Sequence, residues 1–171
     1  MYADYGHCER YCKEGNERPL IQCEYAHAMG NSAGGFKEYW DLIRKYPNYQ
    51  GGYIWDYIDQ GLRGTSKITG KQIWTYGGDY GRFPASDNNF NCNGVINPDR
   101  VPNPHAYEIQ YCYQNIWATL VDAKAGKVEI YNENFFAPLD YVFMDYEILV
   151  DGKSINKGTL PIAQLNIKPQ A

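Results

Sequence analysis

With 171 residues, 44% hydrophobic and 16% aromatic, the chain can bury a sizeable core, and it has no low-complexity run of the kind that stays disordered. A formal net charge of −4, with lysine and arginine scattered, offers no basic footprint for nucleic acid or an anionic membrane, and no apolar run approaches the roughly 18 residues of a membrane span. The five cysteines, odd in number and without a CxxC repeat, suit reduced thiols better than a disulfide framework or a zinc clip.

Residues 1–17 mix Tyr2, Tyr5 and Tyr11 with charges and little periodicity, which predicts an active-site loop with one short helix. Met1-Tyr2-Ala3 has the character of a loop interior rather than of a signal peptide or a helix start. Pro19 then opens an apolar segment, Leu20, Ile21 and Cys23, of strand length, and Glu24 closes it. In α/β barrels the chemistry sits at the carboxyl ends of strands, which makes Glu24 a catalytic candidate. Position alone fits an exposed edge-strand glutamate equally well. Gly30, Asn31, Ser32, Gly34 and Gly35 follow as a loop, with Asn31 or Ser32 as the expected cap of a helix. In that helix Phe36, Tyr39, Trp40 and Ile43 share one face, and Pro47 ends it. A second strand is predicted over 51–59, giving a βαβ unit.

From Asp59 to Arg82 the chain is glycine-rich and irregular, with a turn over 67–71 and an extended piece over 73–76. The polar loop 87–94 carries amide side chains and carbonyls, hard oxygen donors able to hold a cation, although asparagine-rich loops are usually simple turns. Asn103 and Pro104 read as the N-cap and first position of a helix containing Tyr107, Ile109, Tyr111 and Tyr113, with His105 in a packing role. After Asn115 the period changes to two. Residues 117–121, 127–131 and 140–150 read as strands, with a hairpin turn at Asp151-Gly152.

Three motifs stand in order: Ile21-Gln22-Cys23-Glu24-Tyr25-Ala26-His27-Ala28-Met29-Gly30-Asn31-Ser32, Gly51-Gly52-Tyr53-Ile54-Trp55-Asp56 and Tyr76-Gly77-Gly78-Asp79. Together they closely resemble the second half of the catalytic barrel of β-galactosidases of glycoside hydrolase family 2, over residues 1–115. The resemblance implies an α/β fold: the C-terminal part of a TIM (β/α)8 barrel over 1–115, then an incomplete immunoglobulin-like β-sandwich over 116–171. A whole barrel takes about 250 residues and such a sandwich about 100, so the chain is expected to be a fragment.

By resemblance the parent is a retaining enzyme that hydrolyses terminal non-reducing β-D-galactosides such as lactose through a covalent galactosyl-enzyme intermediate. Glu24 matches the nucleophile, Tyr2 the tyrosine beside it, His27 a galactose-binding histidine and Trp55 the tryptophan that packs against the sugar. The Phe90 carbonyl and the Asn93 side chain match ligands of a sodium ion that also touches the sugar. A magnesium in the parent would take its ligands from outside this chain. The acid/base glutamate comes from an earlier strand, so the chain alone is expected to be inactive or nearly so. A homo-oligomeric parent in the cytoplasm is implied, with the periplasm left open. Two other readings remain at this stage, a non-catalytic carbohydrate-binding module and a piece that completes a larger assembly; a binding module has no need of Glu24.

Overall fold

The structure is a computed structural model that describes residues 1–81 and 86–171, with the side chain of Ile162 left out. Two units result, Met1–Tyr113 and Gln114–Ala171. Arg82, the expected end of the irregular stretch, lies outside the described residues.

The first unit opens with α1 (Tyr5–Lys13). Its start is fixed by Asp4, whose side chain accepts from the His7 amide at 2.7 Å, an N-cap within a stretch expected to be mostly loop. Cys8 and Cys12, one turn apart, are buried against Tyr49, Leu20, Leu42, Ile43 and Tyr46. On the outer side Glu9 meets Lys13 and Lys45, each at 3.1 Å, and accepts from the Tyr46 hydroxyl at 2.9 Å. The hydrogen bonds from Lys45, Tyr46 and Lys13 hold its carboxyl down at about 2. This contribution is present above the ordinary glutamate range and is lost as pH falls through the folded value.

Next, β1 (Leu20–Tyr25), α2 (Phe36–Lys45) and β2 (Tyr49–Ile54) form the predicted βαβ unit, with β1 and β2 parallel. The β1–β2 register shifts on both sides of Gln22, so burial departs from strict alternation. Gln22 and Tyr25 are buried, whereas Ile21 and Cys23 are exposed. Inside, Gln22 is satisfied on one side only: its Nε2 donates to the Tyr49 hydroxyl at 2.7 Å and to Cys8 Sγ at 3.1 Å, while its Oε1 has no partner among the described residues. α2 is not capped by Asn31 or Ser32. The Ser32 hydroxyl donates instead to the carbonyls of His27 and Met29, and Gly35, in left-handed backbone, is the N-cap. A Cβ on Gly35 would lie 2.3 Å from the Tyr5 hydroxyl, which donates to the Gly35 carbonyl.

β2 ends at Ile54 instead of running on to 59. Residues beyond it pair with a later segment, through an isolated parallel bridge between Ile58 and Ile96. A small hairpin, β3 (Leu62–Thr65) and β4 (Gln72–Thr75), and a 3-10 turn over Gly77–Asp79 lead to the polar loop. α3 (His105–Cys112) closes the unit, but Asn103 does not cap it: Pro104 is the N-cap, without a side-chain bond, and the Asn103 side chain is turned to donate to the Gly94 carbonyl at 2.8 Å.

The core of this unit is Tyr25, Phe36, Val95, Ile109 and Cys112. The Tyr25 ring packs 5.4 Å from both Phe36 and Tyr39, and its hydroxyl meets those of Tyr113 at 3.0 Å and the Trp40 indole nitrogen at 3.4 Å. Opposite the ring, β2 comes so close that a Cβ on Gly52 would stand 3.0 Å from both Tyr25 Cδ1 and the Gln22 carbonyl.

The second unit holds β5 (Ile116–Asp122) paired antiparallel with β6 (Lys127–Asn132), and β7 (Met144–Val150) with β8 (Lys153–Leu160), the second hairpin turning at Asp151 and Gly152 as predicted. Its node is the fully buried Asn132. The side-chain nitrogen donates to the carbonyls of Ala137, Ile167 and Lys168, and the oxygen accepts from both the amide and the side chain of Asn134. Leu139 and Leu165 are buried in the same unit.

The close approach at Gly52 yields a direct test. Gly52→Ala should destabilise the fold by about 1–3 kcal/mol through overpacking. Gly34→Ala, where an added Cβ meets nothing within 4 Å, should stay within about 0.5 kcal/mol. Urea unfolding of both variants measures the difference, and equal effects would contradict the packing of β2 on Tyr25.

Candidate active site

At the carboxyl end of β1 the chain turns sharply, with Ala26 in left-handed backbone at φ 49°. Tyr25 is driven inward, and Glu24 beside it is half-buried. Tyr2 closes over Glu24 twice: its amide donates to the Glu24 carbonyl at 2.9 Å and its hydroxyl to Glu24 Oε2. Tyr2 is itself left-handed, φ 54°, a conformation that costs about 1–2 kcal/mol in a non-glycine residue and persists where the surroundings fix it. Burial, then the hydrogen bond and charge of Glu24, push the Tyr2 phenol well above the ordinary value of 10. At neutral pH it is therefore a fixed neutral donor aimed at a carboxylate, the strong charge-assisted kind of hydrogen bond.

His27 links this pair to the polar loop. Its ring stands edge-on to Tyr2 and to Phe90, with centroids 5.5 Å apart in each case, and its Nε2 lies 3.3 Å from Asn93 Nδ2. With the amide nitrogen donating, Nε2 is the acceptor and Nδ1 carries the imidazole proton. Asn93 is only 6% exposed, whereas Trp55 is 42% and Phe90 48% exposed. Trp55, Asp56, Gln60, Phe90 and Asn93 line a cleft of about 360 Å³. Glu24, Tyr2 and His27 are not part of its lining; His27 touches it through Phe90 and Asn93. The structure thus brings Tyr2, Glu24, His27, Phe90 and Asn93 into one chain of contacts, and joins Trp55 to it through the cleft and through the Ala28 amide, which donates to the Trp55 carbonyl at 3.3 Å.

Residues that the sequence reading passed over complete the picture. Asp56 lines the cleft, and its buried Oδ1 has no hydrogen-bond partner among the described residues. Burial and the neighbouring Asp59 carboxylate push the Asp56 carboxyl up from the ordinary aspartate range. Asp59 is buried and accepts from the Gly94 amide at 2.5 Å. His105, read as a packing residue, places Nε2 3.1 Å from the Gly94 carbonyl; since a carbonyl only accepts, that nitrogen carries the proton. The signal available was the spacing Asp56, Asp59 just past a strand end. Among the described residues no three His, Cys, Asp or Glu side chains gather as a metal cluster, and no helix is long and apolar enough to cross a membrane.

The Tyr2 to Glu24 contact makes a measurable forecast. Because the fold binds the phenol proton more tightly than the unfolded chain does, this contribution is intact below pH 10 and is lost as pH rises through the folded value. Glu24→Gln should bring the Tyr2 titration down while leaving it above 10, since burial, the largest cause, persists. NMR of tyrosines labelled at the ring carbon bearing oxygen reads this, and an unmoved Tyr2 titration would contradict the pairing.

Comparison with known proteins gives a consistent answer. Residues 1–118 match the family model described as glycosyl hydrolases family 2, TIM barrel domain. The chain is 42% identical over 158 residues to a β-galactosidase of Aeromonas hydrophila, covering 91% of this chain and 15% of that protein. It is 42% identical over 149 residues to one of Klebsiella pneumoniae, 87% of this chain and 14% of that one. With the β-galactosidase of Pseudoalteromonas haloplanktis it is 40% identical over 165 residues, 92% of this chain and 15% of the relative. It spans about a seventh of the length of these relatives, and residues 1–118 supply part of a TIM barrel. The chain belongs to glycosyl hydrolases family 2.

Proposed function

We propose that this chain is the segment of a retaining β-galactosidase that carries the nucleophile, Glu24, on terminal non-reducing β-D-galactosides such as lactose. The observation that carries the reading is the convergence of the Tyr2 hydroxyl on the Glu24 carboxylate at the carboxyl end of a barrel strand.

In the first half-reaction a Glu24 oxygen attacks the anomeric carbon, the glycosidic bond breaks, and the leaving oxygen takes a proton from the acid/base carboxyl. In the second, that group removes a proton from water, which attacks the same carbon and releases Glu24. The partner carboxyl, about 5–5.5 Å from the nucleophile in a retaining enzyme, is assigned to a segment outside this chain. Tyr2 donates to Glu24 in both directions: it fixes the carboxylate oxygen before attack and favours its departure afterwards. His27 and Asn93 bond sugar hydroxyls, and Trp55 covers an apolar sugar face.

Sodium fits the polar loop on the chemistry of its donors. The Phe90 carbonyl, the Asn93 amide oxygen and the buried Asp56 Oδ1, unpartnered among the described residues, are hard oxygens around one cleft. When bound, the ion would supply positive charge for sugar hydroxyls to coordinate. A magnesium of the parent takes ligands from elsewhere. The second unit is read as the opening strands of an immunoglobulin-like sandwich, and the parent as a homo-oligomer working in the cytoplasm.

In a full-length enzyme carrying this segment, Glu24→Gln keeps the side-chain volume but removes the attacking anion. kcat should fall by several powers of ten while KM changes little. A variant with near-normal kcat takes Glu24 out of the nucleophile role. Asn93→Ala should raise KM and flatten the dependence of rate on sodium, and a sodium titration that matches the parent's rejects the proposed ion site.

A further inference from the structure

Gly94 is gripped on both sides. Its amide donates to Asp59 Oδ1 at 2.5 Å, while its carbonyl accepts from Asn103 Nδ2 at 2.8 Å and from His105 Nε2 at 3.1 Å. The grip leaves no space for a side chain: a Cβ here would lie 2.7 Å from the Asp59 amide and 3.0 Å from the carboxylate oxygens of both Asp56 and Asp59. The two main chains also run together. Asp59 N donates to Ile96 O at 2.9 Å, Val95 N to Asp56 O at 2.9 Å and Asp56 N to Asn93 O at 3.4 Å.

The N–H captured by Asp59 belongs to the peptide that joins Asn93 to Gly94. Fixing that plane fixes the Cα of Asn93, the point from which the amide that meets His27 Nε2 is held out. Asp59 is buried, 4% exposed, and a buried carboxylate is costly unless hydrogen-bonded, so the amide of residue 94 and the carboxylate each need the other. We infer that Asp59 is a positioning residue for Asn93: by holding the Gly94 amide it sets the orientation, and hence the affinity, of the Asn93 side chain toward the hydroxyls of a galactoside. The inference rests on the galactosidase reading for the identity of the ligand alone.

In a full-length enzyme carrying this segment, Asp59→Ala should raise KM for nitrophenyl β-galactoside about tenfold with a smaller change in kcat, the loss expected for one oriented hydrogen bond. Asp59→Asn, which keeps an acceptor oxygen, should restore KM to within about twofold to threefold of the parent. Because Asp59 acts through Asn93, Asp59→Ala combined with Asn93→Ala should bind no worse than Asn93→Ala alone. Asn103→Ala releases the other side of Gly94 and should raise KM in the same direction by a smaller factor, which keeps the test open if Asp59→Ala does not fold. An unchanged KM in folded Asp59→Ala and in Asn103→Ala, or additive losses in the double variant, would overturn the inference. A parent with no turnover of the galactoside refutes the galactosidase reading instead. The positioning is then read in this chain from the side-chain amide NMR signals of Asn93, which should shift and broaden in Asp59→Ala; signals identical to those of the wild type refute the inference whatever the ligand.

Discussion

The first unit depends on the burial of one ring. Tyr25 is fully buried against Phe36 and Tyr39 from α2, bonds Tyr113 beyond α3, and presses on β2 at Gly52. An aromatic of this size contributes a large buried surface to the core. Tyr25 is also the neighbour of Glu24. Once the ring is seated, the strand end cannot shift or rotate, and Glu24 is held where Tyr2 reaches it. Core packing and the geometry of the candidate site are therefore one constraint.

The site divides into two halves of different make. Glu24 sits on a strand whose position is set by packing, consistent with the precision that a reacting group needs. In the loop half, beside the buried Val95, polar contacts from Asp59, Asn103 and His105 converge on the single residue Gly94. Two aspartates so close together, Asp59 buried and Asp56 half-buried, are unfavourable in isolation. One of them, Asp59, is compensated by the Gly94 amide, while Asp56 keeps an oxygen without a partner among the described residues, beside the cleft. Such an uncompensated buried acceptor is uncommon in proteins.

How much could be read from the sequence follows from the range of the interactions involved. The βαβ unit, the strand end at Glu24, the turn over 67–71 and the hairpin at Asp151-Gly152 rest on short-range signals, periodicity and turn chemistry, and these were legible. Membership of glycosyl hydrolases family 2 was legible from the motifs around Glu24, Trp55 and Asp79. The helix caps were not. Ser32 and Asn103 have the right residue types, but both side chains are claimed by carbonyls, Asn103 by one from the polar loop, and local composition cannot reveal such competition. For the same reason β2 stops at Ile54, where pairing with the segment around Ile96 takes over, and Gln22 rather than Ile21 lies inside, because the register shifts. The Asp59 grip on Gly94 joins residues 35 positions apart and has no counterpart in spacing or pattern.

The account stands or falls on the chemical role of Glu24. A 2-fluorinated galactoside with a good leaving group forms the covalent intermediate of a retaining enzyme but releases it slowly, so the labelled residue can be identified by mass spectrometry of a digest. Incubated with a full-length enzyme carrying this segment, it should add one fluorogalactosyl group, on the peptide that contains Glu24, with the ester on that carboxylate. A label on any other residue, or inactivation without a covalent adduct, would contradict it.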